Sequence, residues 1–192
     1  MSHALDRFRY CPACGSSHFL PSSFKSKQCS DCGFEFFLNP AAACVAFIRN
    51  AKGELLVAVR DREPAKGTLD LPGGFSDMGE NSEQSIRREV LEETGLNVGQ
   101  VRFLFSLPNL YLYSGMHIPT LDMFYECQVA DTSTLCAADD VSRLLWVPLA
   151  DVQPQLFGLD SVRRGVERFL KASPPAPPSK ASPPAPLPRR GE

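Results

Sequence analysis

The chain has little of what marks a nucleic-acid coat, a membrane protein or a disulfide-built secreted domain. Its 20 Lys and Arg are outweighed by 22 Asp and Glu, for a formal net charge of −2. Without a basic excess, the electrostatic attraction that drives sequence-independent nucleic-acid binding is small, which argues against a nucleic-acid partner. The opening residues hold no apolar run of signal-peptide type, and no later stretch reaches the roughly 20 apolar residues of a membrane span. Both absences lead to the expectation of a cytoplasmic protein with no membrane contact. Seven cysteines, an odd count in a chain of 192 residues, argue against a disulfide framework.

What is present divides the chain into three regions. Cys11, Cys14, Cys29 and Cys32 form two C-x2-C pairs fourteen residues apart, each followed by glycine (Cys14-Gly15, Cys32-Gly33). Four thiolates at that spacing suit a structural Zn²⁺ in a small ribbon over 8–38, a segment too short for a core of its own. A redox pair and a metal-free ribbon are the alternatives. Cys44, Cys127 and Cys136 are expected as buried small hydrophobes in a reducing compartment. Residues 39–172 form the main domain, and 43% hydrophobic content is enough for one core there. Lys-Ala-Ser-Pro-Pro-Ala-Pro occurs twice, at 171–177 and 180–186, so 173–192 is expected as a disordered proline-rich tail, either solubilising or a ligand for an aromatic groove.

Within the main domain, 42–48 and 54–59 read as strands around an Asn50-Ala51-Lys52-Gly53 turn, predicting a hairpin. Further strands are expected at 101–107, 121–129 and 144–147. An amphipathic helix is expected at 160–170, with Val162, Val166, Phe169 and Leu170 on its apolar side. Mixed strands with helices between and after them predict an α/β sandwich.

The most specific stretch is 74–96. It reads Gly74, five residues, Glu80, seven residues, Arg88-Glu89-Val90, one residue, Glu92-Glu93, one residue, Gly95-Leu96. Asn81 or Ser82 is placed to cap a helix, with Gln84 as the capping-box partner of Asn81 and Gly95 as the stop. At roughly 100° per residue, Glu89, Glu92 and Glu93 share an arc of about 100° beside the Ile86/Val90 apolar stripe. Three isolated glutamates on a helix are ordinarily a solvated face. Here the Leu71-Pro72-Gly73-Gly74 turn precedes them, and hard oxygen donors beside close backbone favour Mg²⁺ or Mn²⁺ and phosphate chemistry. Arg60 and Arg62, upstream of the turn, are candidates for phosphate contacts or solvated strand-end arginines. Tyr111 and Tyr113 alternate with leucines, as a platform for a base or as structural strand residues.

This stretch resembles the Nudix box position for position. The resemblance implies a Nudix-type α/β/α sandwich with a mixed sheet, preceded by the zinc ribbon. It also implies metal-dependent hydrolysis of a nucleoside diphosphate linked to another group. By the resemblance Glu89 and Glu93 bind Mg²⁺ or Mn²⁺, Glu92 is ligand or general base, and the Gly73 carbonyl adds a ligand. Arg88 orients the glutamates, and Glu80 holds the loop against the helix. Asp139 and Asp140 lie where related enzymes carry a further acidic ligand, Asp140 being the candidate here; a loop or cap role is the alternative.

A four-cysteine ribbon before a Nudix domain resembles the NADH pyrophosphatase branch, which further suggests a homodimer. That branch carries Ser-Gln-Pro-Trp-Pro-Phe-Pro after the box, whereas this chain has Ser106-Leu107-Pro108-Asn109-Leu110-Tyr111-Leu112-Tyr113, keeping only Ser106 and Pro108. The expected substrate is therefore ADP-ribose or an NAD(H)-like dinucleotide, cleaved to a nucleoside monophosphate, with NADH less favoured as the preferred substrate and a nucleotide sugar as an alternative. The rival readings are a nucleotide-sensing regulator, decapping of RNA bearing a nicotinamide cap, and an adaptor acting through the proline tail.

Overall fold

The computed structural model describes residues 3–172; the expected proline-rich tail at 173–192 lies outside the described residues. The N-terminal strands β1 (Phe19–Ser23), β2 (Ser26–Cys29) and β3 (Glu35–Phe37) pair antiparallel in a sheet of their own. Its apolar centre is only Cys11, Phe19 and Cys29, with Phe36 against them. Lys27, 6% exposed, donates from Nζ to the Phe8 carbonyl at 2.9 Å, so its buried ammonium has a backbone partner.

The run Ala-Ala-Ala-Cys-Val-Ala-Phe-Ile is apolar at every position and becomes β4 (Ala41–Ile48), a strand covered on both faces from Cys44 onward. It is followed by β5 (Leu55–Arg60), β6 (Leu69–Asp70), β7 (Gly73–Phe75) and helix α1 (Ser82–Thr94). Next come β8 (Val98–Tyr113), β9 (Met116–Val129), β10 (Val141–Val147) and helix α2 (Asp160–Ala172). One sheet has the order β7-β4-β9-β8, with β4 parallel to β9 from Ala41↔Thr120 to Ile48↔Cys127. The other has the order β10-β5-β6.

Alternation along the strands sorts the core into two layers. Val45, Phe47, Leu55, Val57 and Phe124 join Val162, Val166 and Phe169 of α2. The intervening Cys44, Ala46, Ile48, Leu56, Tyr125 and Cys127 join Ile86 and Val90 of α1. The expected α/β/α sandwich is thus what forms, one helix covering each apolar layer.

The expected hairpin does not form. The Asn50–Gly53 turn is present, with Asn50 Oδ1 accepting from the Lys52 and Glu54 amides at 2.9 and 3.0 Å. Beyond a single Arg49↔Leu55 bridge, however, β4 and β5 part into different sheets. Both strands bury residues in both core layers, which an isolated two-stranded ribbon cannot provide. The strands expected at 101–107 and 121–129 extend instead into one long hairpin closed at Ser114 and Gly115, whose φ values are 48° and 70°. Positive φ at both loop residues matches the twist of the flanking strands. Cys44 and Cys127 are buried as expected, but Cys136 is exposed, because it sits in the irregular segment after β9.

Candidate active site

Helix α1 begins and ends where its sequence directs. Asn81 accepts from the Gln84 amide and donates its own amide to Gln84 Oε1, both at 2.9 Å, and the Gly95 amide returns to the Leu91 carbonyl with φ 69°. This fixes the rotation of the helix, so that Ile86 and Val90 face the core and the glutamates face β7.

The two glycines of the preceding turn are needed for contact. A Cβ at Gly73, where φ is 147°, would meet the Cys44 carbonyl oxygen at 2.1 Å. One at Gly74 would lie 2.8 Å from the Glu89 carboxylate. Removing both Cβ atoms lets the carboxylates of α1 approach bare backbone, and the Gly73 amide donates to Glu93 Oε2 at 2.9 Å.

Arg88 ties this arrangement together. Its Nε and Nη2 hold the two oxygens of Glu80 at 2.8 and 3.0 Å, and Nη2 also reaches the Phe75 carbonyl at 3.0 Å. Its Nη1 donates to Glu89 Oε1 at 2.8 Å and Glu92 Oε2 at 2.9 Å. With all five N–H groups engaged, Arg88 orients carboxylates and has little left to offer a phosphate. Glu80 in turn accepts from the Asp77 amide at 3.1 Å, locking the loop to the helix.

A cavity of about 320 Å³ opens over these groups. Glu89, Glu92 and Glu93 line it from α1, Asp70 and Asp77 from either side of the glycine turn, Asp122 from β9, and Asp139 and Asp140 from the segment before β10. Against these eight carboxyl groups the lining holds two guanidinium groups, Arg60 and Arg88. Burial pushes the Glu93 carboxyl up to about 8, helped by the neighbouring charges of Asp70, Glu89 and Asp140 and opposed by the Gly73 amide. Glu89 and Asp70 are likewise raised by burial, and Asp140 by burial and by Asp139. Hard, crowded carboxyl groups with raised proton affinity fit a divalent cation, which relieves both the desolvation and the mutual repulsion.

Asp140 reaches the cavity because its segment hangs on the end of α1: the Cys136 and Ala138 amides donate to the Thr94 and Glu93 carbonyls at 3.0 and 3.1 Å. Arg60 and Tyr111 line the cavity together. Arg60 Nη1 pairs with Asp70, its Nη2 donates to the Tyr111 hydroxyl at 3.3 Å, and its Nε donates to the Pro64 carbonyl at 2.9 Å. Arg62 and Tyr113 are not among the lining residues. Arg62 sits outside, 2.5 Å from Asp140 Oδ1, and Tyr113 is 63% exposed near the hairpin tip. The reading from sequence missed Asp70, Asn109, Thr120 and Asp122, which all line the cavity. The available signal was Asp122 itself, a carboxylate inside the apolar run Leu121-Asp122-Met123-Phe124-Tyr125.

The ribbon holds a second donor set. Sγ of Cys11 lies 3.7 Å from that of Cys32, and Sγ of Cys14 lies 3.7 Å from that of Cys29. All four sulfurs fall within 4.8 Å of one another. Thiolates about 2.3 Å from a zinc ion at tetrahedral corners would be about 3.8 Å apart, so the set fits zinc and is too wide for a disulfide. The two knuckles repeat each other, with Gly15 and Gly33 at φ 76° and 77° and their amides on the Cys11 and Cys29 carbonyls at 2.8 and 2.9 Å.

An α/β/α sandwich with an acidic, glycine-edged cavity beside the second half of a capped helix is a fold and site suited to holding metal against phosphate. The NUDIX domain family model matches residues 38–168, and the chain belongs to the Nudix family. Among curated relatives, the NAD-capped RNA hydrolase NudC of Vibrio atlanticus is 32% identical over 106 residues, covering 55% of this chain and 39% of that protein. NudC of Haemophilus influenzae is 29% identical over 110 residues, covering 56% and 41%. The chain thus spans about two fifths of the length of these curated relatives. Among solved structures, a NUDIX hydrolase from Nitrosomonas europaea superposes with TM-score 0.67 at 18% identity, covering 86% of this chain and 92% of that one. The NUDIX domain of Shewanella oneidensis NrtR, complexed with ADP ribose, superposes with TM-score 0.58 at 22% identity, covering 71% and 90%. No helix among the described residues is long and apolar enough to cross a membrane.

Two outcomes are expected. The purified protein should carry one zinc per chain, measured by elemental analysis, and Cys29→Ser should lose it; a folded, zinc-free parent would contradict the ribbon assignment. In divalent-free buffer, Glu93 binds its proton more tightly folded than unfolded. The protein should therefore lose stability as pH rises from about 4.5, the ordinary glutamate range, to about 8, with the loss complete above the folded value. Thermal denaturation across that range should show the slope in the parent and a smaller one in Glu93→Gln; identical slopes would contradict it.

Proposed function

We propose that the chain is a divalent-metal-dependent pyrophosphohydrolase acting on a nucleoside diphosphate linked to another moiety, ADP-ribose or an NAD-like dinucleotide, and releasing a nucleoside monophosphate. The observation that carries this reading is the convergence of Glu89, Glu92, Glu93 and Asp140 on one cavity that also presents Arg60 and Tyr111. The names of the curated relatives and the ADP ribose held by the NrtR domain support the substrate class.

In this reading Glu89, Glu92, Glu93, Asp140 and the Gly73 carbonyl would hold Mg²⁺ or Mn²⁺, which would supply charge for the phosphate oxygens and make the attacking water more acidic. Glu92, half exposed and held by Arg88 through Oε2, is positioned to take the proton of the attacking water. Arg88 holds the glutamates in register, and Arg60, anchored by Asp70, presents its remaining N–H groups to phosphate oxygens. Tyr111 stands edge-on to Phe75 at 5.5 Å and 89°, offering a ring beside the diphosphate. Arg62 and Tyr113 take no part in this arrangement. The ribbon at 8–38 is a zinc-bound accessory module to the domain at 39–172, in a cytoplasmic protein with small-molecule substrates and homodimeric assembly.

A second reading, hydrolysis of RNA bearing a nicotinamide cap, uses the same residues and is favoured by the activity for which the curated relatives are named. A nucleotide-sensing regulator would bind without turnover, and the complete set of box carboxylates weighs against it.

Product analysis by liquid chromatography should show metal-dependent AMP release from one of NADH, NAD, ADP-ribose, diadenosine polyphosphates or nucleotide sugars, abolished by chelator. Glu92→Gln and Glu93→Gln should each lower kcat/KM by about two orders of magnitude or more in protein that stays folded. Parent-rate hydrolysis by both variants would contradict the assignment, and tight nucleotide binding without turnover would favour the sensor.

A further inference from the structure

The wall of the cavity contributed by β8, β9 and α2 carries a second polar cluster, outside the proposed metal-ligand set. Asp122 is 5% exposed and sits between Leu121 and Met123 on β9. Its Oδ1 accepts from Thr120 Oγ1 at 2.6 Å; its Oδ2 accepts from Asn109 Nδ2 at 3.2 Å and from the Ser161 hydroxyl at the start of α2. These three donors are neutral, whereas the other buried aspartate of the cavity, Asp70, is paired with Arg60. Fastening α2 to β9 does not require a carboxylate, and burying one among neutral donors is costly.

The bonding also defines what the cluster has left to offer. A carboxylate has about four lone-pair positions, and three donors leave one, on Oδ1. Asn109, having given an N–H to Asp122, is oriented by that bond, and its Oδ1 remains as an acceptor. Both residues line the cavity, flanked by Leu159 and Val162 of the α2 side and by Tyr111, two positions along β8 from Asn109. Apolar walls, an aromatic ring and two neighbouring acceptors suit a planar ring bearing an amino group, whose two N–H bonds require acceptors.

We propose that Asp122, with Asn109 beside it, is the specificity element of the site and reads an N–H₂ group on the organic end of the substrate. This rests on the pyrophosphohydrolase reading. The amino group has two possible sources in such a substrate, the exocyclic amine of adenine and the carboxamide of nicotinamide. A site built around acceptors rejects an analogue that lacks the donor, because the acceptors are then left buried and unpaired.

The test compares NAD with nicotinamide hypoxanthine dinucleotide, which replaces the adenine amine by a carbonyl, and with 3-acetylpyridine adenine dinucleotide, which replaces the carboxamide nitrogen by a methyl group. For each compound kcat/KM is measured with Mg²⁺ and Kd by calorimetry with Ca²⁺, for the parent, Asp122→Asn and Asn109→Leu. The parent is expected to disfavour one analogue by about tenfold or more, and which one identifies the source of the amino group. Asp122→Asn, close in shape but able to present a donor, should bring that ratio to about one or invert it, and Asn109→Leu should reduce it. If Asp122→Asn does not fold, Asn109→Leu carries the test. A purely structural Asp122 would lower melting temperature and all three substrates together, leaving the ratio unchanged. That result, or equal treatment of all three compounds by the parent in both measurements, would overturn the proposal. Discrimination in Kd without turnover of any compound would overturn the hydrolase reading and support the specificity element.

Discussion

Crowding of carboxyl groups around one small cavity is the constraint on which the rest of this site depends. Glu89, Glu92 and Glu93 are adjacent on α1 by helical geometry, and the fold adds Asp70, Asp77, Asp122, Asp139 and Asp140. Two guanidinium groups cannot offset eight carboxyl groups, and both are already engaged by protein partners. Burial is the main cause of the raised proton affinity of Glu93, Glu89, Asp70 and Asp140, and the neighbouring carboxylates add to it. Protonation relieves the imbalance only by removing charge, whereas a divalent cation relieves it while leaving a charged centre facing the cavity.

Holding such a site open takes rigid support, and each part of the fold supplies some. The capping box and Gly95 set the ends of α1, and Ile86 and Val90 set its rotation. The bare backbone of Gly73 and Gly74 lets β7 pass within contact of Glu93 and Glu89. Arg88 joins loop and helix through Glu80, Glu89 and Glu92. Because β4 is buried on both faces, the two core layers meet through it, so the helix carrying the glutamates and the strands carrying Asn109 and Asp122 share one frame. The cysteine cluster lies apart from this frame, beside a small sheet with a slight apolar centre that a zinc ion held there would stabilise.

The local features were legible in the sequence because they rest on local physics. Capping residues, the glycine stop, the i, i+4 apolar stripe and the paired C-x2-C spacing each specify a conformation within a few residues, and each is found where the sequence placed it. What escaped depends on pairing between distant segments. The turn at Asn50–Gly53 was readable, but whether β4 and β5 continue as a hairpin is decided by β9 and β10, which compete for their edges. Tyr111 and Tyr113 look equivalent in the chain, yet only Tyr111 lies deep enough along β8 to reach the cavity. Asp122 was hidden for the same reason: its partners Asn109, Thr120 and Ser161 come from two strands and a helix. Arg60 and Arg62 differ likewise, Arg60 being drawn in by Asp70 while Arg62 is left outside on Asp140.

The central claim, that the box carboxylates form a divalent-metal site, is tested most directly by titrating the zinc-loaded protein with Mn²⁺ and following the free ion by electron paramagnetic resonance at neutral pH. The account predicts saturable uptake that Mg²⁺ competes away and that Glu93→Gln weakens by about tenfold or more. Uptake absent in the parent, or identical in parent and variant, would contradict it.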